Sequence, residues 1–128
     1  MGNGKIINGV DFVAIPCRDA VATKEFYENV LGLDFSTQWG EMPAYEFEPG
    51  DVTIAIMQME SFGQEFKPNG APIAFHVDDF DAAKAALEER GVEFQTDVID
   101  SGVCNQIFFA DPDGNPVGIH NRYEPRED

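Results

Sequence analysis

The sequence predicts an α+β domain built from two β-α-β-β-β modules, and three observations carry that prediction. Phe12-Val-Ala-Ile-Pro-Cys-Arg-Asp19 recurs as Pro72-Ile-Ala-Phe-His-Val-Asp-Asp79. Each copy leads into a stretch with helical spacing, which stops at Gly32-Leu-Asp-Phe35 in one half and at Gly91-Val-Glu-Phe94 in the other. Three short β-rich segments then follow in both halves. Self-similarity at a fixed interval reports a duplicated supersecondary unit. Neither unit can bury a sheet face alone, so the two must pack together or pair with another chain. A chain of 128 residues is long enough for one core. We therefore expect a single domain over 1–128, with modules at 8–59 and 71–123 joined by a Gly-, Gln- and Pro-rich segment.

In the first module, residues 8–17 are apolar and β-rich and read as a strand. Asp19 is a helix N-cap, and Ala22, Phe26, Val30 and Leu31 give a helix over 20–31 its apolar stripe. Gly32 stops it. Strands are predicted at 33–38, 44–48 and 52–58, divided by Trp-Gly-Glu-Met-Pro and by Pro49-Gly50-Asp51. In the second module a strand over 72–77 leads to Asp79. That residue caps a helix over 80–90 whose stripe is Ala83, Ala86 and Leu87. Strands are predicted at 92–99, 104–110 and 116–121, with Asp111-Pro-Asp-Gly-Asn115 as a tight turn between the last two.

Composition excludes several functions. The net charge is −16 with only eight Lys and Arg, so phosphate backbones and anionic membranes are disfavoured partners. The excess of acid reads as a well-solvated surface. No stretch reaches the length of a membrane span, the first residues lack an apolar signal region, and Ile6 does not fit the myristoylation pattern. Cys17 and Cys104 do not make a disulfide framework. A reduced, cytoplasmic protein is the expectation.

The chain resembles the vicinal oxygen chelate superfamily of glyoxalase I, bleomycin-resistance proteins and extradiol dioxygenases. The resemblance rests on Val13-Ala-Ile-Pro with Asp19, Phe26-Tyr27 with Leu31-Gly32-Leu33, Ile73-Ala-Phe-x-Val-Asp-Asp79, and Phe109-x-Asp-Pro-Asp-Gly-Asn115. It implies sheets curved around a cup-shaped cavity, usually within a homodimer. In metal-dependent members, each module's first strand supplies a histidine or related ligand and each last strand typically a glutamate. Together they hold a divalent metal that polarises neighbouring substrate oxygens. Carried over by position, the four ligand sites fall at Phe12, at Ile54 or Ala55, at Pro72 and at Gly118. None has a ligating side chain. No cofactor is therefore expected, and a divalent metal would need a relocated site.

The candidate ligand-binding residues are Phe12, Trp39, His76, His120 and Arg122. Strand alternation sends His76 to the face of Pro72 and His120 to that of Gly118. First and last strands of a module are expected to be neighbours, which would bring the two imidazoles close as an acid–base or ligand-binding pair. The plain alternative is two histidines hydrogen-bonded to backbone or water. Trp39 stands in a Gly-flanked loop, where it either caps a cavity or lies in a dimer contact. Arg122 shares the parity of His120, and either holds an anionic group or pairs with a surface carboxylate. Cys17 has parity opposite to Phe12 and is expected to pack against the helix, and Cys104 opens a strand.

Three functions remain open. The first is a small-molecule-binding protein that uses the cup without the usual metal. The second is a lyase, isomerase or dioxygenase working through His76 and His120 or a relocated metal. The third is an interaction module in which the fold serves only dimerisation.

Overall fold

A computed structural model describes residues 6–125. Its first half runs β1 (Phe12–Cys17), α1 (Ala20–Glu25), a π-helical turn (Phe26–Val30), β2 (Phe35–Gln38), β3 (Ala44–Phe47) and β4 (Thr53–Gln58). A short 3₁₀ turn (Met59–Phe62) opens the connection to the second half. There the order is β5 (Ile73–His76), α2 (Phe80–Glu89), β6 (Ile99–Asp100), β7 (Cys104–Ala110) and β8 (Pro116–Arg122). The strands form two four-stranded mixed sheets, ordered β1-β4-β3-β2 and β5-β8-β7-β6. In each, the first strand lies parallel to the last and the remaining pairings are antiparallel. This is the α+β architecture the repeat predicts.

Local chemistry sets the helix limits. Asp19 Oδ1 accepts from the N–H groups of Val21 and Ala22 at 3.1 and 3.3 Å, and Asp79 Oδ1 accepts from Ala82 N–H at 3.1 Å. These bonds satisfy donors that a first turn leaves orphaned. Gly32 and Gly91 sit past the helix ends at φ +75° and +89°, where a Cβ would be strained. The interval from Asp19 to Gly32 is one residue longer than that from Asp79 to Gly91. The first helix absorbs the extra residue as its π turn, in which Leu31 N–H reaches back to Phe26 C=O at 3.1 Å. Pro16 is tolerated in β1 because β1 is an edge strand.

One expected element is largely missing. Of the strand predicted over 92–99, only Ile99–Asp100 joins the sheet. Gln95 N–H does bond to Phe108 C=O at 2.8 Å, but Phe108 N–H turns to the Thr96 side chain at 3.4 Å. Phe94 packs edge-on against Phe109, with ring centres 5.8 Å apart. A side-chain acceptor has replaced a backbone carbonyl, so the ladder breaks there. The first strand is also shorter than expected, starting at Phe12 rather than residue 8.

The two modules share one core. Ile15, Tyr27, Phe47, Ile54 and Ile56 from the first pack in a single cluster with Phe80, Leu87, Ile107, Phe109, Val117 and Ile119 from the second. Within the chain, then, the modules meet through the sheet faces that carry the helices. Alternation sends Phe12, Ala14, His76 and His120 to the opposite faces.

A polar junction locks this arrangement. Tyr27 Oη donates to Asp111 Oδ2 at 2.8 Å, and Thr23 Oγ1 donates to Asp113 Oδ2 at 3.0 Å. Asn115 Nδ2 donates to Pro16 C=O and to Asp111 Oδ2, both at 2.8 Å. Asp111 Oδ1 accepts from the backbone N–H groups of Asp113 and Asn115 at 2.9 Å each. The Asp-Pro-Asp-Gly-Asn turn is therefore a bolt from module two into helix α1.

Candidate functional site

The register settles which residues occupy the equivalent strand positions. Phe12 stands opposite Thr53 and Ala14 opposite Ala55, while Ala74 stands opposite Gly118. Ala55 is thus the counterpart of Gly118, and Ile54 belongs to the core face. The four positions are Phe12, Ala55, Pro72 and Gly118. At Gly118 the place of a side chain is already taken: a Cβ built there would lie 2.6 Å from the ring of Phe108 and 3.2 Å from Ile107 C=O. A donor set of one ring, one methyl, one pyrrolidine and no side chain does not fit a divalent metal. Among the described residues, no three His, Cys, Asp or Glu side chains gather as a metal-binding group.

On the first sheet one of these positions, Phe12, belongs to an aromatic cluster. The rings of Phe12 and Trp39 meet edge to face with centres 5.6 Å apart, and Trp39 meets Phe62 the same way at 6.2 Å. Trp39 Nε1–H donates to the carboxylate of Glu46, which neighbours Ala55 across β3 and β4. Ala44 and Ala55 on this face are fully buried, which a bare sheet face would not allow. Phe12 itself remains 45% exposed. The result is a half-exposed aromatic cluster with one carboxylate tied to its indole.

On the second sheet His76 and His120 are direct neighbours across the parallel pair β5–β8, and Gln106 flanks His120 from β7. His76 Nε2 lies 2.8 Å from Asp78 Oδ1, with its side chain 68% exposed. Asn121 Nδ2 donates to Val77 C=O at 2.7 Å, and Val77 N–H to His120 C=O at 3.0 Å, which pins the loop beyond His76. Arg122 is exposed and takes part in no salt bridge among the described residues. The structure brings Phe12 to Trp39 and His76 to His120. No hydrogen bond or ring contact among the described residues joins the two groups.

Two roles escape a reading by residue type. Phe62 comes from the connection and completes the aromatic cluster, and Glu46 is selected by its bond to Trp39. Strand alternation alone leaves the direction of Glu46 open. Both cysteines are buried and free. The Cys17 thiol is pushed up to about 12, chiefly by burial, with Asp113, Asp111 and Asp19 adding to the rise and a hydrogen bond to Thr23 opposing it. Such a thiol is no nucleophile near neutral pH. Cys104 Sγ sits 3.0 Å from Ser101 Oγ and serves packing.

The chain belongs to the glyoxalase/bleomycin resistance protein/dioxygenase superfamily, which it matches over residues 9–119. It is 30% identical to the uncharacterized protein YaeR of Escherichia coli (strain K12) over 124 residues, covering 88% of this chain and 95% of that one. It is 24% identical to Glyoxylase I 4 of Arabidopsis thaliana, over 94% of this chain and 74% of the relative. Among solved structures it superposes on TnmS3, an antibiotic binding protein from Streptomyces sp. CB03234. The TM-score is 0.74 at 25% identity, with 92% of this chain and 98% of that one covered. Lactoylglutathione lyase from Agrobacterium tumefaciens shares the fold, with a TM-score of 0.76 at 16% identity over 91% and 95% of the two chains. No helix among the described residues is long and apolar enough to cross a membrane.

Proposed function

We propose that this protein binds an organic small molecule on the faces opposite its core and does so without the family's usual metal. The observation that carries this reading is the Phe12–Trp39–Phe62 cluster standing where the first module would otherwise present a metal ligand. Ring faces and edges offer a stacking surface, and cations are attracted to the electron-rich faces of Trp and Phe. Glu46 and a net charge of −16 favour the same sign of ligand. The likeness to an antibiotic binding protein supports this reading. A homodimer in a reducing cytoplasm is the assembly and setting we favour for this reading.

The chain has a single tryptophan, so Trp39 reports directly on the site. Titrating an aromatic cation such as benzyltrimethylammonium should quench Trp39 fluorescence saturably, and Phe12→Ala should weaken the apparent affinity roughly tenfold by removing one ring contact. Unsaturable quenching across a panel of aromatic cations, with no rise in melting temperature, would remove the proposal.

A second reading has its own observation, the register that sets His76 beside His120 with Asp78 oriented on one imidazole. In that reading the pair moves a proton on a bound substrate as general acid and base. Titration of zinc or nickel separates it from a relocated metal site. One-to-one binding at micromolar affinity that His76→Ala removes would favour metal, and its absence leaves proton transfer as the form this reading takes.

A further inference from the structure

The two module junctions should be related by the repeat, yet only one is filled. Counted from the caps Asp19 and Asp79, Thr23 corresponds to Ala83 and Tyr27 to Leu87. In the first junction Thr23 and Tyr27 bond to Asp113 and Asp111 of the β7–β8 turn. The equivalent turn of module one, between β3 and β4, faces α2 across a groove of about 770 Å³. Where a phenol and a hydroxyl close the first junction, an isobutyl group and a methyl leave the second open. The groove wall is Val13, Ile54, Phe75, Leu87, Phe109 and Ile119, all side chains of the shared core or packed against it. It therefore lies on the side of the sheets away from the Phe12–Trp39 cluster.

We propose that this groove is a second ligand site, and that it takes an uncharged, compact apolar molecule of aromatic or branched hydrocarbon character. Its volume falls within the usual range for small-molecule sites, roughly 300–1,000 Å³. The nature of the ligand follows from what the wall lacks. Among the described residues no buried side-chain nitrogen or oxygen is left without a partner, so nothing inside calls for a polar or charged group. Water in such a groove finds few partners, and an apolar molecule displaces it favourably. Charged and titratable groups stand only at the rim, where Asp34, Asp51, His76 and Arg90 are exposed and Arg90 is already committed to Val30 C=O at 2.9 Å. An anion would approach a strongly acidic protein, and a buried cation would find no acceptor.

The test uses naphthalene and methyl-resolved NMR on the full chain. Naphthalene should shift the methyl resonances of Val13, Ile54, Leu87 and Ile119 saturably. Ala86→Phe, which extends a ring into the groove, should weaken that binding at least tenfold with the melting temperature held or raised. Ala83→Leu fills the same space by a smaller step and reads the same outcome if Ala86→Phe does not fold. Trp39→Ala should leave these shifts in place, so failure of the aromatic face and failure of the groove are told apart. Naphthalene that moves none of the four methyls, or binding within twofold of wild type in both filled variants, overturns the site. So does preferential binding of naphthylmethylammonium there.

Discussion

Replacing Asp111 with alanine is expected to cost about 3–5 kcal/mol of folding stability, a loss in the range seen when a buried, fully bonded charge network is cut. Asp111 is 5% exposed and its carboxylate accepts four hydrogen bonds, from Tyr27, Asn115 twice and Asp113. Alanine removes the acceptor and leaves the Tyr27 hydroxyl, itself fully buried, and the backbone N–H of Asn115 without partners, while the Asn115 side-chain amide keeps its bond to Pro16 C=O. The cost is mainly that of orphaned donors, not of one lost contact. Asp111→Asn separates these terms. Whichever way its amide is turned, the NH₂ group meets two donors, so an intermediate loss is expected. Urea unfolding of the two variants reads both values. A loss for Asp111→Ala below about 1 kcal/mol would show that solvent takes over these donors and that the junction is not what joins the modules.

The same residues show how far the sequence is legible. The repeat carries the architecture because it is a local signal: caps at Asp19 and Asp79, stops at Gly32 and Gly91, and alternation in the strands. Nothing in the Asp-Pro-Asp-Gly-Asn motif says that its first aspartate reaches Tyr27, because that pairing spans 84 positions and depends on how two modules dock. The unfilled junction is different. Ala83 and Leu87 stand plainly at the positions of Thr23 and Tyr27, so the difference between the two junctions is legible in the helices. The register of β1 with β4 decides between Ile54 and Ala55, which the loop lengths leave undetermined. The strand expected over 92–99 has strong β-propensity but loses its ladder to the Thr96 side chain, a choice made by tertiary geometry. The meeting of Phe62 and Glu46 with Trp39 likewise follows from where loops fall in space.

Alkaline pH should weaken the fold, and the cause again lies at this junction. Burial is the largest reason that both the Cys17 thiol and the Tyr27 phenol hold their protons more tightly when folded. Nearby Asp111 and Asp113 strengthen the effect by opposing a new negative charge. In the unfolded chain Cys17 releases its proton near 9.0 and Tyr27 near 10.0, whereas the folded thiol is pushed up to about 12 and the phenol is also raised. Above pH 9 the folded state thus binds more protons than the unfolded one, and stability must fall as pH rises. The contribution is present in full below pH 9 and is lost progressively as pH climbs toward the folded values. For Cys17, which is completely buried, the interval corresponds to about 4 kcal/mol when fully expressed, and to about 2 kcal/mol by pH 10.5. Urea unfolding at pH 8 and pH 10.5 should show a drop of at least that size, with Tyr27 adding to it. Cys17→Ala lowers stability at both pH values through lost packing, but it should flatten the slope between them, and Tyr27→Phe should flatten it further. Equal stability at the two pH values, or an unchanged slope in both variants, would mean that these groups reach water in the native state and that the junction is looser than its hydrogen bonds indicate.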